Sequence, residues 1–170
     1  IKELFDSAPQ TRQHFLRQAR LLVQLNHRAL PDVYDFFEFN QRAYLIMEYI
    51  DGLDMQQAVA KQGMPPLEHV LAWSNTILDV LDYLHSLQPP IIHRDVKPAN
   101  LKLTPNGKLY LVDFGLAKVG GTQHLTPLVA KGYTEGYAPP EQYGAARTGP
   151  RSDVYSLGVT LYELASGSRA

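Results

Sequence analysis

The chain has 170 residues, of which 45% are hydrophobic, so it is long enough for one ordinary globular domain with a buried core. Its formal net charge of −1 gives no indication of a nucleic-acid surface or of an anchor for acidic lipids. The absence of cysteine excludes a disulfide framework, a zinc–thiolate site and a thiol nucleophile, and it fits a reducing compartment.

The sequence indicates neither a membrane span nor a leader peptide. No run approaches the roughly 18 apolar residues that a membrane helix needs, and the start, IKELFDSAPQ, carries no cleavage signature. We therefore expect no membrane contact from this segment and a cytoplasmic location. The first residue is not methionine, which suggests a piece of a longer reading frame, so an anchor elsewhere in that frame stays open.

Residues 15–25 (FLRQARLLVQL) carry the first helical pattern. Phe15, Ala19 and Leu22 recur at helical intervals, while Arg17 lies on another face. The spacing predicts an amphipathic helix.

Two strands are predicted after this helix. Residues 33–39 (VYDFFEF) and 43–50 (AYLIMEYI) follow a turn at residues 26–31 (NHRALP). A polar tip at residues 40–42 (NQR) separates them. The arrangement predicts a hairpin of two adjacent strands.

Residues 67–85 predict a long core helix. His69, Trp73 and His85 lie on it, and we interpret them as packing, structural or surface residues because no matching ligand is near them in sequence. The apolar residues at helical spacing are Leu67, Val70, Leu71, Ile77, Leu78, Leu81 and Leu84.

The middle of the chain holds its densest group of charged and amide residues. Ile91-Ile92 is predicted to be a short buried strand, and it leads into His93–Asn100 (HRDVKPAN). Residues 101–103 and 109–112 then alternate around Pro105-Asn106-Gly107, a strong hairpin signal.

A second motif, Asp113-Phe114-Gly115 (DFG), follows HRDVKPAN in the chain, directly after this hairpin. Together the two segments bring an acid, a cation, an amide and a second acid onto neighbouring turns, as metal-assisted phosphoryl transfer requires. Further along, residues 152–159 (SDVYSLGV) open a helix that is apolar on most faces, so we expect it to be buried.

The joint pattern H-R-D-x-K-P-x-N, a glycine-containing turn and D-F-G resembles the eukaryotic-type protein kinases. The pair Lys97-Pro98 resembles the serine/threonine branch, and the wording EQY…SDVYSLGV resembles bacterial serine/threonine kinases. The resemblance implies an α+β, protein-kinase-like bilobal fold. Residues 1–50 would be a remnant of the small lobe, with strands and one helix, and the hinge; residues 51–170 would be part of a mainly α-helical large lobe.

The resemblance covers essentially every residue, yet it covers only the middle of the family's domain, so we expect a truncated fold. The glycine-rich loop would precede Ile1. Further helices, with the arginine that normally pairs with Glu141, would follow Ala170. On this expectation the piece alone is weakly active or inactive.

The resemblance also implies the catalytic roles. Asp95 would orient a substrate hydroxyl and accept its proton, and Lys97 would steady the charge on the moving phosphoryl group. Asn100 and Asp113 would offer oxygen ligands to Mg²⁺. The implied cofactors are therefore ATP and Mg²⁺.

The nucleotide site is implied in the same way. Lys2 would grip the α- and β-phosphates. In the family a glutamate on the first helix pairs with this lysine; Gln18 stands at that position here, so the clamp would be weaker or set differently. The Glu48 carbonyl and the Ile50 amide would hold adenine at the hinge. Lys102 stands where the family has an apolar residue beneath adenine, and we expect its stem to cover the ring while its amine reaches water.

Regulation is implied by residues 113–141, which resemble an activation segment. Arg94 would dock a phosphate added to this segment, and Thr122 and Thr126 are the candidate acceptors. Thr134 would lie against the catalytic acid and lysine.

Two further residues have structural roles in the family. His93 would pack beneath the phenylalanine of D-F-G, so it is not a candidate for proton transfer. Asp153 would fix the backbone around His93 and Arg94.

The function that this resemblance implies is ATP-dependent transfer of the γ-phosphate to Ser or Thr hydroxyls of protein substrates. The alternative is a pseudokinase acting as a regulatory or interaction module, which Gln18 and Lys102 favour. A small-molecule kinase is a third reading, opposed by the P-P-E element at residues 139–141. The sequence does not indicate the oligomeric state.

Overall fold

The computed structural model describes residues 1–4, 9–40, 42–113, 134–143 and 148–168. Within these ranges the chain is α+β, with two three-stranded antiparallel sheets, five helices and one 3-10 turn. In chain order the elements are β1 (Lys2–Leu4), α1 (Pro9–Leu22), β2 (Val33–Phe39), β3 (Arg42–Met47), β4 (Leu53–Asp54), α2 (Met55–Gln62), α3 (Leu67–Ser86), the 3-10 turn (Pro98–Asn100), β5 (Leu101–Leu103), β6 (Leu109–Leu111), α4 (Pro140–Tyr143) and α5 (Pro150–Ser166).

The first sheet has the strand order β1–β3–β2. Lys2 on β1 pairs with Leu45 on the central strand, so the lysine is held on an edge strand of the sheet. Helix α1 packs against β2 and β3. Among the α1 side chains that the structure describes, the buried ones are Phe15, Ala19 and Leu22.

Helix α1 begins and ends earlier than its sequence pattern indicates. It runs Pro9–Leu22, whereas the pattern predicted residues 15–25. The early start has a physical reason, because proline suits the first turn of a helix, where its missing N–H needs no partner. Residues 9–14 (PQTRQH) are almost all polar, so the apolar spacing cannot register them.

The hairpin of β2 and β3 confirms the two predicted strands, although β3 ends at Met47. Phe39 pairs with Arg42 at its tip. Asn40 adopts a positive φ of 48° there, a conformation that asparagine tolerates better than most residues. The strands continue into the segment predicted to be the hinge.

The second sheet has the order β4–β5–β6. Leu101 pairs with Leu111 across the predicted hairpin, and Gly107 in its turn has φ 80°. Strand β4 adds a third strand that the sequence did not reveal, pairing Asp54 with Lys102. The Asp54 side chain also caps helix α2 by accepting a hydrogen bond from the Gln57 amide at 2.8 Å.

Helix α3 is one residue longer than predicted and contributes much of the core. It packs against α5. Three of the apolar residues assigned to its core face, Leu67, Leu71 and Leu78, are instead exposed. Its buried residues are Val70, Ile77, Val80, Leu81 and Leu84.

The strand predicted at Ile91-Ile92 is wrong, because the structure has no strand there. Ile91 is buried as expected. Its amide, however, donates to the Leu84 carbonyl at 3.0 Å, so the residue closes the end of α3 instead of pairing with a neighbouring strand.

Helix α5 is less apolar in its buried surface than predicted. Ser156 and Thr160 are buried, and their hydroxyls donate to backbone carbonyls outside the helix, Tyr137 at 2.9 Å and Val96 at 3.2 Å. Val154, Tyr155 and Tyr162 are exposed. The helix therefore contacts the segment around His93–Asn100 through hydrogen bonds as well as packing.

Replacing Gly52 with alanine is expected to destabilise the protein strongly. Gly52 has φ 152°, and a Cβ there would stand 2.3 Å from the Leu103 carbonyl oxygen, so backbone would have to move. We expect Gly52→Ala to lower the free energy of unfolding by roughly 2–4 kcal/mol in chemical denaturation.

Gly107→Ala is the matched control, because Gly107 also has a positive φ but open space around its Cβ position. Its expected cost is only about 1 kcal/mol. Equal losses for the two variants would contradict the close approach of β5 to Gly52.

Candidate active site

The segment His93–Asn100 lies between α3 and β5, and a single buried carboxylate holds its start. Asp153 on α5 accepts hydrogen bonds from the amide of His93 at 2.8 Å and from the amide of Arg94 at 2.6 Å, one on each oxygen. Arg94 has φ 66°, an unusual conformation for a residue other than glycine. The two bonds fix this sharp turn and confirm the structural role predicted for Asp153.

His85 is a third partner of this carboxylate, which the sequence reading missed. Its Nε2 lies 2.8 Å from Asp153 Oδ2. The two residues are far apart in sequence, on α3 and α5, and no local pattern links them. His85 therefore joins two core helices at the point where the turn is held.

Asp95 and Lys97 converge on one hydroxyl group. Thr134 Oγ1 donates to Asp95 Oδ1 at 2.8 Å, and Lys97 Nζ donates to the same hydroxyl oxygen at 2.7 Å. Lys97 Nζ also lies 3.1 Å from Asp95 Oδ2. A hydroxyl is thus held between a carboxylate that can accept its proton and a cation that can stabilise negative charge.

Asn100 is oriented by the same acid. Its Nδ2 donates to the Asp95 carbonyl at 2.7 Å and to Asp95 Oδ2 at 3.1 Å. The Val112 amide donates to the Asn100 carbonyl at 2.9 Å, which places Asn100 beside the strand that leads to Asp113. Its nitrogen is committed to Asp95, and its side-chain oxygen accepts no hydrogen bond from another described residue, which leaves this oxygen as a possible ligand.

Asp113 and Lys2 form an ion pair across the two parts of the chain. Lys2 Nζ lies 2.7 Å from Asp113 Oδ1, and both side chains are substantially exposed. Asp113 has φ 58°. The pair brings the first residue of strand β1 to a residue two positions beyond the end of β6.

Asn100 and Asp113 are the pair that could hold a divalent cation. One amide oxygen and one carboxylate are few for a site made of protein alone, and no group of three or more His, Asp or Glu suited to a metal occurs in the described ranges. Mg²⁺, however, commonly binds one or two protein oxygens and completes its shell with substrate phosphates and water. The two residues therefore fit a cation that arrives with a nucleotide.

The Lys102 side chain contacts the predicted hinge, whereas its amine was expected to reach water. Its Nζ donates to the Ile50 carbonyl at 2.8 Å and lies 5.4 Å from the centre of the Tyr49 ring. The amine therefore binds the hinge instead of reaching into water. The Glu48 amide donates to the Asp32 carbonyl at 2.7 Å, which ties the start of the hinge to the segment before β2.

Arg94 is a partly buried cation. Burial lowers the pKa of its guanidinium below the usual range, and the neighbouring Asp153 carboxylate offsets part of that effect. In the parts of the chain that the structure covers, its Nε is buried and has no hydrogen-bond partner.

Several predicted residues lie outside the described residues. Thr122 and Thr126 belong to residues 114–133, as does Phe114, which was expected to pack on His93. Gln18 lies on α1, but its side chain is outside the description. Thr134 does lie against Asp95 and Lys97, as predicted.

Glu141 of the P-P-E element contacts Ser152, a partner that the sequence did not predict. Ser152 Oγ donates to Glu141 Oε1 at 2.7 Å and accepts from the Gly149 amide at 3.1 Å. The serine thereby links the start of α5 to α4. A polar side chain in the first turn of a helix commonly bonds the backbone just before that helix, so the contact with Gly149 had a sequence signature, whereas the contact with Glu141 had none.

The whole chain, residues 1–170, matches the family model described as the protein kinase domain. Among curated relatives, the serine/threonine-protein kinase PknA of Mycobacterium tuberculosis is 34% identical over 174 residues, covering 99% of this chain and 40% of PknA. PknL of the same organism, also a serine/threonine-protein kinase, is 36% identical over 153 residues, covering 90% of this chain and 38% of PknL. The chain thus spans about two fifths of the length of these relatives.

The fold is similar to that of a solved kinase domain. The crystal structure of a mutant kinase domain of Mycobacterium tuberculosis PknI superposes with a TM-score of 0.74 at 30% identity. The match covers 96% of this chain and 60% of that one.

Replacing Asp153 with asparagine tests how firmly the turn is held. The variant puts an NH₂ group against a backbone N–H and removes the charge that both amides and His85 contact, so we expect the free energy of unfolding to fall by roughly 2–4 kcal/mol. Chemical denaturation with a fluorescence or circular-dichroism signal measures it.

Asp79→Asn provides the control, since Asp79 makes ion pairs with Arg28 and His27 but is 51% exposed, against 0% for Asp153. Its loss should stay below about 1 kcal/mol. A loss at Asp153 as small as that at Asp79 would show that the carboxylate does not hold the turn.

Proposed function

The chain belongs to the protein kinase domain family and has its α+β fold, and from this premise we propose that the parent protein is an ATP-dependent protein serine/threonine kinase. Its relatives PknA and PknL are named serine/threonine-protein kinases. The family uses ATP and a divalent metal ion and acts on proteins. For this chain we propose transfer of the γ-phosphate to Ser or Thr hydroxyls, with Mg²⁺ as the metal.

The observation that carries the proposal is the Thr134 hydroxyl between Asp95 and Lys97. A hydroxyl already lies within hydrogen-bonding distance of both groups, at 2.8 Å and 2.7 Å. A substrate hydroxyl requires the same two partners, an acceptor for its proton and a cation near the oxygen that attacks. The neighbourhood of Asp95 is therefore chemically suited to a Ser or Thr acceptor.

In the proposed reaction Asp95 orients the acceptor hydroxyl and takes its proton as the hydroxyl oxygen bonds to the γ-phosphorus. The bond between that phosphorus and the bridging oxygen breaks, and ADP leaves. Lys97 stabilises the negative charge that develops on the transferred phosphoryl group. Asn100 and Asp113 would hold Mg²⁺, which neutralises phosphate charge when it is bound with the nucleotide.

The nucleotide base is proposed to bind at the hinge through the Glu48 carbonyl and the Ile50 amide. Neither group makes a hydrogen bond to any other described residue, so an acceptor and a donor are open there. Lys2 is proposed to contact the α- and β-phosphates. Its present partner, Asp113, is also the proposed metal ligand, so nucleotide and metal together would replace this ion pair.

We propose the two-lobe division predicted from the sequence, with residues 1–50 in the small lobe and hinge and residues 51–170 in the large lobe. A cytoplasmic location for this segment agrees with the need for ATP and with the absence of cysteine. Among the described residues no helix is both long and apolar enough to cross a membrane.

Control by phosphorylation is proposed for Arg94 and the segment that contains Thr122 and Thr126. The support is the buried Nε of Arg94, which lacks a partner among the residues described. A phosphate added to the segment would supply charge-assisted hydrogen bonds to this guanidinium. Gln18 and Thr134 are also proposed as residues that set activity. Gln18 would contact Lys2 in place of a glutamate, and the Thr134 hydroxyl donates to Asp95.

The Asp95→Asn variant of the full-length protein tests the proposal. Without a proton acceptor, phosphotransfer from γ-labelled ATP with Mg²⁺ to a Ser/Thr peptide library should fall by about 100-fold or more. Scintillation counting of the captured peptides measures the rate.

Asp79→Asn makes the same change at an exposed site and should keep the wild-type rate. Transfer at equal rates in wild type and Asp95→Asn would reject the role of Asp95. A folded wild-type protein that transfers no label would reject the kinase proposal itself.

A further inference from the structure

Lys102 places a cation on the hinge at the level where the base is proposed to bind. It lies on β5, and its side chain extends to the hinge, where Nζ donates to the Ile50 carbonyl at 2.8 Å. The face of Tyr49 lies 5.4 Å from the same nitrogen, within the range of a cation–π contact. Two interactions therefore hold the ammonium group at this point.

The hinge backbone offers three polar groups to a base. They differ in whether they already make a hydrogen bond within the protein. Within the described residues, the Glu48 carbonyl and the Ile50 amide have no hydrogen-bond partner. The third group, the Ile50 carbonyl, is bonded to Lys102. A base therefore meets the Glu48 carbonyl as an acceptor and the Ile50 amide as a donor. At the third position it meets the Lys102 ammonium group, which stands in front of the Ile50 carbonyl.

A purine presents its own polar groups in a matching order along one edge. In adenine the 6-amino group donates, N1 accepts, and position 2 carries only hydrogen. With the 6-amino group on the Glu48 carbonyl and N1 on the Ile50 amide, position 2 comes next to the Ile50 carbonyl. Whatever stands at that carbonyl therefore decides which substituent position 2 can carry.

We propose that Lys102 is a specificity-determining residue that makes the site reject purine nucleotides with a 2-amino group. The inference rests on the proposed function, because it uses the proposed contacts of the base with the hinge. An ammonium group can only donate hydrogen bonds, and so can a 2-amino group on the side that faces it. A 2-amino purine would therefore have an unpaired donor facing a cation, whereas adenine has no donor there.

An apolar residue in place of Lys102 would reverse the preference. No ammonium group would then stand in front of the Ile50 carbonyl, and the hinge would offer an acceptor, a donor and an acceptor without a cation beside the last one. That series complements a 2,6-diaminopurine at all three positions. The lysine thus converts a hinge able to accept a 2-amino group into one restricted to adenine.

The test compares the binding of ATP and 2-amino-ATP, the triphosphate of 2,6-diaminopurine riboside, by calorimetry with Mg²⁺ on the full-length protein. We expect wild type to bind 2-amino-ATP about tenfold more weakly than ATP, because an unpaired buried donor is costly. In Lys102→Met the two nucleotides should bind equally, or 2-amino-ATP more tightly. The readout is a ratio within each protein, so a general change in nucleotide affinity cancels.

Lys102→Arg should keep the wild-type ratio, since it keeps a cationic donor. Lys61→Met removes an exposed lysine from α2 and should also keep it. Lys102→Leu is a second apolar variant, and thermal melting identifies the variants that fold.

The outcomes separate this inference from the proposed function. A wild type that binds ATP with the same preference as the folded Lys102→Met or Lys102→Leu variants overturns the role of Lys102 alone. A folded wild type that binds neither nucleotide overturns the proposed function and, with it, this inference.

Discussion

The candidate site depends first on the buried carboxylate of Asp153. It bonds two consecutive amides at the start of the segment 93–100 and a histidine at the end of α3, so the core fixes the direction in which this segment leaves. The hydroxyl of Thr160 on the same helix bonds the Val96 carbonyl two residues further on. The side chains that meet at Thr134 are thereby carried by backbone that the interior of the protein holds, which keeps a catalytic constellation precise.

Each lysine of the candidate site has a hydrogen-bonding or ionic partner close to it. Lys97 stands beside Asp95, Lys2 beside Asp113, and Lys102 against a backbone carbonyl. Lys97 and Lys2 contact the two carboxylates that the proposed chemistry needs. A nucleotide and metal that bind here would therefore replace existing ion pairs, and would not meet unpaired carboxylates. The exposed Lys2–Asp113 pair is the easier one to exchange, because solvent weakens such pairs.

The elements with strong local signals were the ones that the sequence predicted well. Helix α3 and the hairpin of β5 and β6 agree closely because a long apolar period and a Pro-Asn-Gly turn specify them. The start of α1 escaped because its first residues are polar, and β4 because it has only two residues. Helix α2 has cap signals at Asp54 and Gly63, but its eight residues include only two buried ones, too few for a clear apolar period. Ile91 was taken for strand because burial alone does not separate a strand from a helix end.

The site was predictable as a motif but not as a set of contacts. His85 and Asp153 meet across 68 positions of sequence, which no local pattern can reveal. The bond of Lys102 to the hinge has no signature either, because its acceptor is a backbone carbonyl that every residue has. The positions of Asp95, Lys97 and Asn100 followed from their resemblance to kinases, whereas the hydrogen bonds that order them needed the fold.

The most direct test of the central claim, that these side chains form a phosphoryl-transfer site, is mass spectrometry of a Ser/Thr peptide library incubated with the full-length protein, ATP and Mg²⁺. We expect phosphate on Ser and Thr side chains with wild type and almost none with a folded Asp113→Asn variant, which lacks the proposed carboxylate ligand. Unmodified peptides from a folded wild-type protein that binds ATP, or equal modification by the variant, would contradict it.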